Sequence, residues 1–183
     1  MIDPGHGGID GGAYFNNVKE STINLQLSMF LKADLEKKGY TVILTRDGDY
    51  DLSSDNSNRK RTDALKRIEI IEKSNCDLFV SIHQNSFQNK IYRGSQTFYS
   101  SNNIHNERLA KTVLESIKST LNNTTRKAKK IDNIFILDNV KTCGILIEGG
   151  FLSNPIDFHN LLDDAYLEKL AFAISYGITS FLT

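Results

Sequence analysis

Two hydrophobic periodicities alternate along the chain. Short β-branched runs recur as TVILTR (41–46), DLFVSIH (77–83), GSQTFYS (94–100), NIFIL (133–137) and GILIE (144–148), and each reads as a strand. Between them, apolar residues return every three or four positions. Leu27, Phe30, Leu31 and Leu35 mark one helix, closed by Lys37, Lys38 and Gly39 as a basic last turn and a glycine cap. Leu65, Ile68 and Ile71 mark a second helix, and Ala110, Val113, Leu114, Ile117 and Leu121 a third. The last and clearest carries Leu167, Leu170, Ala171, Ile174, Ile178 and Phe181. LSNP (152–155) reads as a loop end that starts a short helical turn. Strands alternating with helices predict an α/β fold: a single twisted, mainly parallel sheet of about six strands with helices on both faces. The polar stretches 46–60 and 122–130 read as solvated loops, and residues 1–183 as one domain.

Composition changes this picture little. Apolar residues make up 39% and charged residues 24% of the chain, ordinary values for a soluble globular protein. The formal net charge of +0 gives no bulk attraction to nucleic acid. No apolar run approaches the roughly 18 residues of a membrane span. Only Met1 and Ile2 precede the first motif, where a buried strand has about five residues, so a longer natural N-terminus with a signal or anchor segment is expected. The two cysteines, Cys76 and Cys143, stand before apolar runs and read as buried free thiols, with a disulfide between neighbouring strand starts as the alternative.

The candidate chemistry begins at DPGHGGIDGGA (3–13), where five glycines surround His6. A dinucleotide fingerprint fails because Asp10 stands at its third glycine, and a phosphate loop fails because Ala13 follows Gly12. What remains is a sharply turned loop that presents His6. His83 ends one strand run and Glu148 ends another, and sites in open α/β sheets form at carboxyl ends of strands. A carboxylate embedded in GILIEGGFL needs a compensating partner, which a nearby cation supplies. Glu20 opens the first helix, where its charge alone suits the N-terminal dipole. With His6 and His83 it would also complete a His₂Glu set, the donor type of catalytic zinc. His105 and His159 read as surface residues.

On these residues the sequence resembles the zinc-dependent N-acetylmuramoyl-L-alanine amidases of the amidase-3 family. DPGHGG (3–8), Glu20 opening a helix, SIHQN (81–85) and IEGGFLSN (147–154) occur in the family's order across nearly the whole chain. The resemblance implies that His6, Glu20 and His83 bind one Zn²⁺ and that Glu148 is the catalytic carboxylate. It further implies hydrolysis of the amide between N-acetylmuramic acid and L-alanine in peptidoglycan, outside the cytoplasm. NRKR (58–61), GSQTFY (94–99) and residues 122–137 are similar to the germination-specific amidases that prepare spore cortex for muramic-δ-lactam formation. Vegetative autolysins, phage endolysins, a zinc carboxypeptidase and a non-catalytic wall-binding domain are the competing readings.

Three further residues are candidates for holding substrate or the ligands: Asp3, Asn85 and Arg67. Asp3 would brace the loop or orient His6, and Asn85 reads equally well as a turn residue. Of the arginines on the second helix, Arg61 and Arg67, one is expected in solvent and one in the crevice. Arg126, Lys127, Lys129 and Lys130 read as a solvated face, or as a contact for stem-peptide carboxylates or a neighbouring protein. An accessory protein that targets the enzyme or orders its zinc site is a further expectation.

Overall fold

The computed structural model describes residues 1–53 and 57–183, so part of the 46–60 stretch lies outside the described residues. In chain order the strands are β1 (Ile2–Pro4), β2 (Tyr14–Phe15), β3 (Val18–Lys19), β4 (Phe79–Asn85), β5 (Gln96–Tyr99), β6 (Lys129–Lys130) and β7 (Gly144–Phe151). The helices are α1 (Glu20–Lys37), α2 (Arg59–Lys73), α3 (Asn106–Leu121), α4 (Phe135–Asn139), α5 (Pro155–Leu161) and α6 (Asp164–Leu182). The main sheet has the order β1–β4–β7–β5–β6. Its pairs are parallel except β5 with β7.

Alternation along the central strands sorts the core onto two faces. Val80 and Ile82 of β4 join Ile145 and Ile147 of β7 beneath α1, α3 and α6, with Leu27, Leu31, Val113, Leu170 and Ile174. Phe79 and Leu146 point the other way, into a smaller cluster with Ile71, Ile136, Leu137 and Val140 from the α2–α4 side. Helices therefore cover both faces, as the periodicity predicts. Asn154 caps α5 by accepting from the Ile156 and Asp157 N–H groups, with Pro155 at its first turn, so LSNP does lead into a short helix.

Three expectations are corrected. Residues 41–46 form no regular strand. They contribute one bridge, Leu44 to Ile2, with the Ile2 N–H donating to the Ile43 carbonyl at 2.9 Å and the Thr45 N–H to the Ile2 carbonyl at 3.1 Å. The next rung would need an N–H at Pro4, which has none, so the ladder stops and the sixth strand is reduced to a bridge. The run NIFIL enters the short helix α4 at Phe135 rather than forming a strand. Its neighbouring residues Ile136 and Leu137 are both buried, which an alternating strand on a one-sided surface cannot achieve. Within 122–130, Lys129 and Lys130 leave the expected loop and pair with β5. Both cysteines are free thiols; Cys143 is buried and Cys76 is half-buried.

Candidate metal and catalytic centre

The carboxyl ends of β1, β4 and β7 deliver the polar groups. After Pro4, the Gly5 N–H still bonds the Ile82 carbonyl at 2.9 Å. A Cβ on Gly5 would lie 2.2 Å from His83 Cε1, so only glycine lets the loop pass beside that ring. The chain then turns sharply: His6 takes φ 59°, a left-handed conformation rare outside glycine. Gly7 and Asp10 exchange backbone hydrogen bonds at 2.8 and 3.1 Å, which closes the turn. Closure brings the Asp10 carboxylate to His6, with Nδ1 and Oδ2 2.8 Å apart. His6 Nε2 is thereby left facing Glu20 Oε2 at 3.4 Å.

Glu20 is the first residue of α1 and is 4% exposed. Its carboxylate is fixed by three donors: the Ala13 N–H at 2.9 Å, the Gln84 N–H at 3.1 Å and Asn24 Nδ2 at 3.2 Å. His83 Nδ1 lies 3.0 Å from Glu20 Oε1. One ligating atom each from His6, Glu20 and His83 falls within 4.8 Å of the others. Gly12, at φ +69°, leaves room for this group, since a Cβ there would lie 2.5 Å from Glu20 Oε2 and 2.7 Å from His6 Cδ2. Burial opposes charge on His6, but hydrogen bonds to Glu20 and Asp10 prevail and raise its pKa to about 9. Burial likewise opposes ionisation of Glu20, yet the two histidines hold it well below the usual carboxylate range.

Glu148 lies directly across from His83 in the β4–β7 register. Its Oε2 is buried and has no hydrogen-bond partner. Burial pushes its pKa up to about 7, with His83 and His6 opposing and Glu20 adding to the rise. A crevice of about 210 Å³ opens beside the two histidines, with Gly5, His6, His83, Lys60, Ala64 and Phe135 in its walls.

Asp3 and Arg67 sit one layer deeper. Asp3 accepts from Thr45 Oγ1 at 2.6 Å, Arg67 Nη1 at 2.7 Å and Ser81 Oγ at 2.7 Å, and does not touch the His6 ring. Arg67 also donates to the Pro4 and His6 carbonyls and to Asp63 Oδ2, each at 2.7 Å. Arg67 is thus buried behind the loop and also lines the crevice, as expected of one of the two arginines, while Arg61 lies 5.9 Å from the Phe135 ring. Asn85 is the last residue of β4, paired with Phe151, and its side chain accepts the Ser86 N–H at 2.8 Å. His105 and His159 are exposed and outside the cluster.

Two residues escaped sequence reasoning. Asp10, read only as a failed fingerprint position, holds His6; its signal is the four-residue offset from His6 inside a glycine turn. Arg46, read as the end of a strand, is 1% exposed and donates to the carbonyls of Pro4, Gly5 and Ser21, each at 2.9 Å. Nothing local announces that contact.

The chain resembles known proteins over its whole length. The family model described as N-acetylmuramoyl-L-alanine amidase (Amidase_3) matches residues 1–180. The germination-specific N-acetylmuramoyl-L-alanine amidase of Bacillus subtilis is 38% identical over 186 residues, covering 100% of this chain and 78% of that protein. Among solved structures, the CwlD amidase of Clostridioides difficile, in complex with the GerS lipoprotein, is 38% identical with a TM-score of 0.94, covering 99% of this chain and 96% of that one. An N-acetylmuramoyl-L-alanine amidase of Clostridium difficile 630 is 31% identical with a TM-score of 0.88, covering 99% and 94%.

Proposed function

The chain belongs to the N-acetylmuramoyl-L-alanine amidase family, and on that premise we propose that residues 1–183 act as one zinc-dependent catalytic domain on spore-cortex peptidoglycan. The reaction is hydrolysis of the amide between the lactyl carbonyl of N-acetylmuramic acid and L-alanine. The observation that carries this reading is the meeting of His6, Glu20 and His83 donors within 4.8 Å beside the unpartnered Oε2 of Glu148.

Two imidazoles and one carboxylate suit zinc, and they leave a fourth position for water or substrate. His6, Glu20 and His83 would hold the ion, which when bound lowers the pKa of a water toward ~7 and polarises the amide carbonyl. Asp10 fixes the ring of His6 through Nδ1, and Asn24 with two backbone N–H groups fixes Glu20. Glu148 takes the attacking water's proton on Oε2. As the water oxygen bonds to the carbonyl carbon and the carbon–nitrogen bond breaks, Glu148 returns that proton to the alanine nitrogen. The products are a muramoyl carboxylate and a peptide with a free α-amine. The Glu148 Oε2 has no competing hydrogen-bond partner, which leaves it open for both transfers.

The cortex assignment is supported by the germination-specific relative and by the likeness to the CwlD amidase. Its place of action is then extracytoplasmic. No described helix is long and apolar enough to cross a membrane. The solved neighbour is bound to a lipoprotein, which supports an accessory protein for this chain too. Mass spectrometry of muropeptides from cortex and vegetative wall, with and without zinc, tests the reading. Zinc-dependent release of peptides beginning with L-alanine is expected; a cut within the peptide would identify a carboxypeptidase instead.

A further inference from the structure

We propose that Arg126 and Lys127 form the subsite for the first free carboxylate of the stem peptide, an inference that rests on the amidase reading above. Register places them. Pro4 pairs with Ile82, His83 with Glu148, and Glu148 with Gln96. The β5–β6 register, Phe98 to Lys129, carries Lys127 beside Gln96, and Gln96 Nε2 donates to the Lys127 carbonyl at 2.5 Å. Directly opposed residues of neighbouring strands share a face. Gly5, His83, Glu148, Gln96 and Lys127 therefore make one row across the catalytic edge of the sheet. Strands lie about 4.8 Å apart, which sets the backbone of Lys127 about 10 Å from that of Glu148.

Arg126 is held next to this row. Its guanidinium carbon lies 5.0 Å from the centre of the Phe151 ring. Nε donates to the Arg93 carbonyl at 3.3 Å, and Nη1 makes a long contact of 3.5 Å with Gln96 Oε1. A guanidinium on an aromatic face keeps its edge open and pre-oriented for a carboxylate. Arg126 also walls a surface depression of about 390 Å³ with Ile91, Tyr92, Arg93, Asn122 and Thr124. Space and charge coincide there.

On the opposite flank most cations face a carboxylate, and Arg61 lies over the Phe135 ring. Lys60 faces Asp10, Arg59 faces Asp51 and Arg67 faces Asp63. By contrast, no carboxylate oxygen of a described residue lies within 4.0 Å of Arg126 or Lys127. An anionic peptide is thus drawn toward β6. The residue after L-alanine in a stem peptide bears a free carboxylate, about 7 Å from the scissile carbonyl in an extended chain. That distance is about 3 Å short of the separation along the row, a gap that a long cationic side chain spans.

The test compares zinc-loaded enzyme on uncrosslinked glycan strands whose stems carry D-isoglutamate or its uncharged amide, D-isoglutamine, at the second position. The expected result is a preference of about tenfold in kcat/KM for the acid, the scale of one charge-assisted hydrogen bond. In an Arg126→Ala/Lys127→Ala variant that ratio falls to near one through a higher KM on the acid stems. Lys169→Ala, on α6, keeps the wild-type ratio. Equal rates of the wild type on both stems, or equal losses on both in the variant, would overturn the proposal. Failure of the wild type to release L-alanine peptides from either strand would overturn the amidase reading, and the subsite with it.

Discussion

Two clusters of buried charge lie within a few residues of each other along the first strand, and they behave oppositely. The Asp3–Arg67–Asp63 cluster, with Arg46 beside it, is saturated: Asp3 accepts three side-chain donors, and the two arginines bind the carbonyls of residues 4–6. The His6–Glu20–His83–Glu148 cluster is left incomplete, with the Oε2 of Glu148 orphaned. Saturated charge makes a rigid foundation, whereas unsatisfied charge in a dry site is a store of reactivity. The loop between them is bound to both. Its carbonyls are held by arginine and its histidine faces the reacting groups.

Removing charge from each cluster separates the two roles. The largest effect belongs to Glu148→Gln, which keeps the shape and deletes the base. Amide hydrolysis should fall about a thousandfold while the thermal midpoint stays level or rises, because a buried carboxylate without a partner is lost. Peptide release and circular dichroism measure this, and appreciable hydrolysis by the variant would remove Glu148 from the proton path. Arg67→Ala reverses the pattern, leaving Asp3 buried without its counter-ion. Urea denaturation should show a loss of about 3 kcal/mol or more, and an unchanged midpoint would mean that the loop does not depend on this foundation.

Asp10→Ala acts on the join between the clusters. Zinc affinity, read by competition with a chromophoric chelator, should weaken about 10-fold or more with little change in fold stability. Unaltered affinity would show that His6 holds its orientation unaided. The smallest effect is a pH dependence. Burial opposes ionisation of Asp3, but Arg67, Ser81 and Thr45 prevail and hold its carboxyl below the ordinary aspartate range. A depressed acid stabilises the fold above its unfolded pKa and loses that contribution as pH falls through the folded value. Urea midpoints should therefore drop more steeply below about pH 4 in wild type than in Asp3→Asn, and parallel curves would contradict the assignment.

The difference between the clusters also governs what the sequence discloses. Glu20 opens α1 and His6 follows β1, while His83 and Glu148 lie in the C-terminal halves of β4 and β7, beyond which each strand runs further than its apolar run predicts. Arg46 and Arg67 are disclosed less well because their partners lie about forty to sixty residues away in sequence. Asp10 was hidden by a turn whose closure depends on backbone bonds between Gly7 and Asp10. The misread run 133–137 is short and apolar, a length at which strand and helix share one pattern. Residues 41–46 have strand composition, but Pro4 on the neighbouring strand decides how far they pair.

The reversed direction of β5 has a further consequence. Because β5 runs against β7, the link from Asn85 to Gln96 stays at the catalytic end instead of crossing the sheet. The segment 122–128 reaches the same rim, ahead of β6. Catalytic atoms are thus carried by two strands, a helix start and one arginine-pinned loop, while the neighbouring rim is built from two connecting segments. Changes in those segments reshape the rim without disturbing the bonds that hold His6, Glu20 and His83.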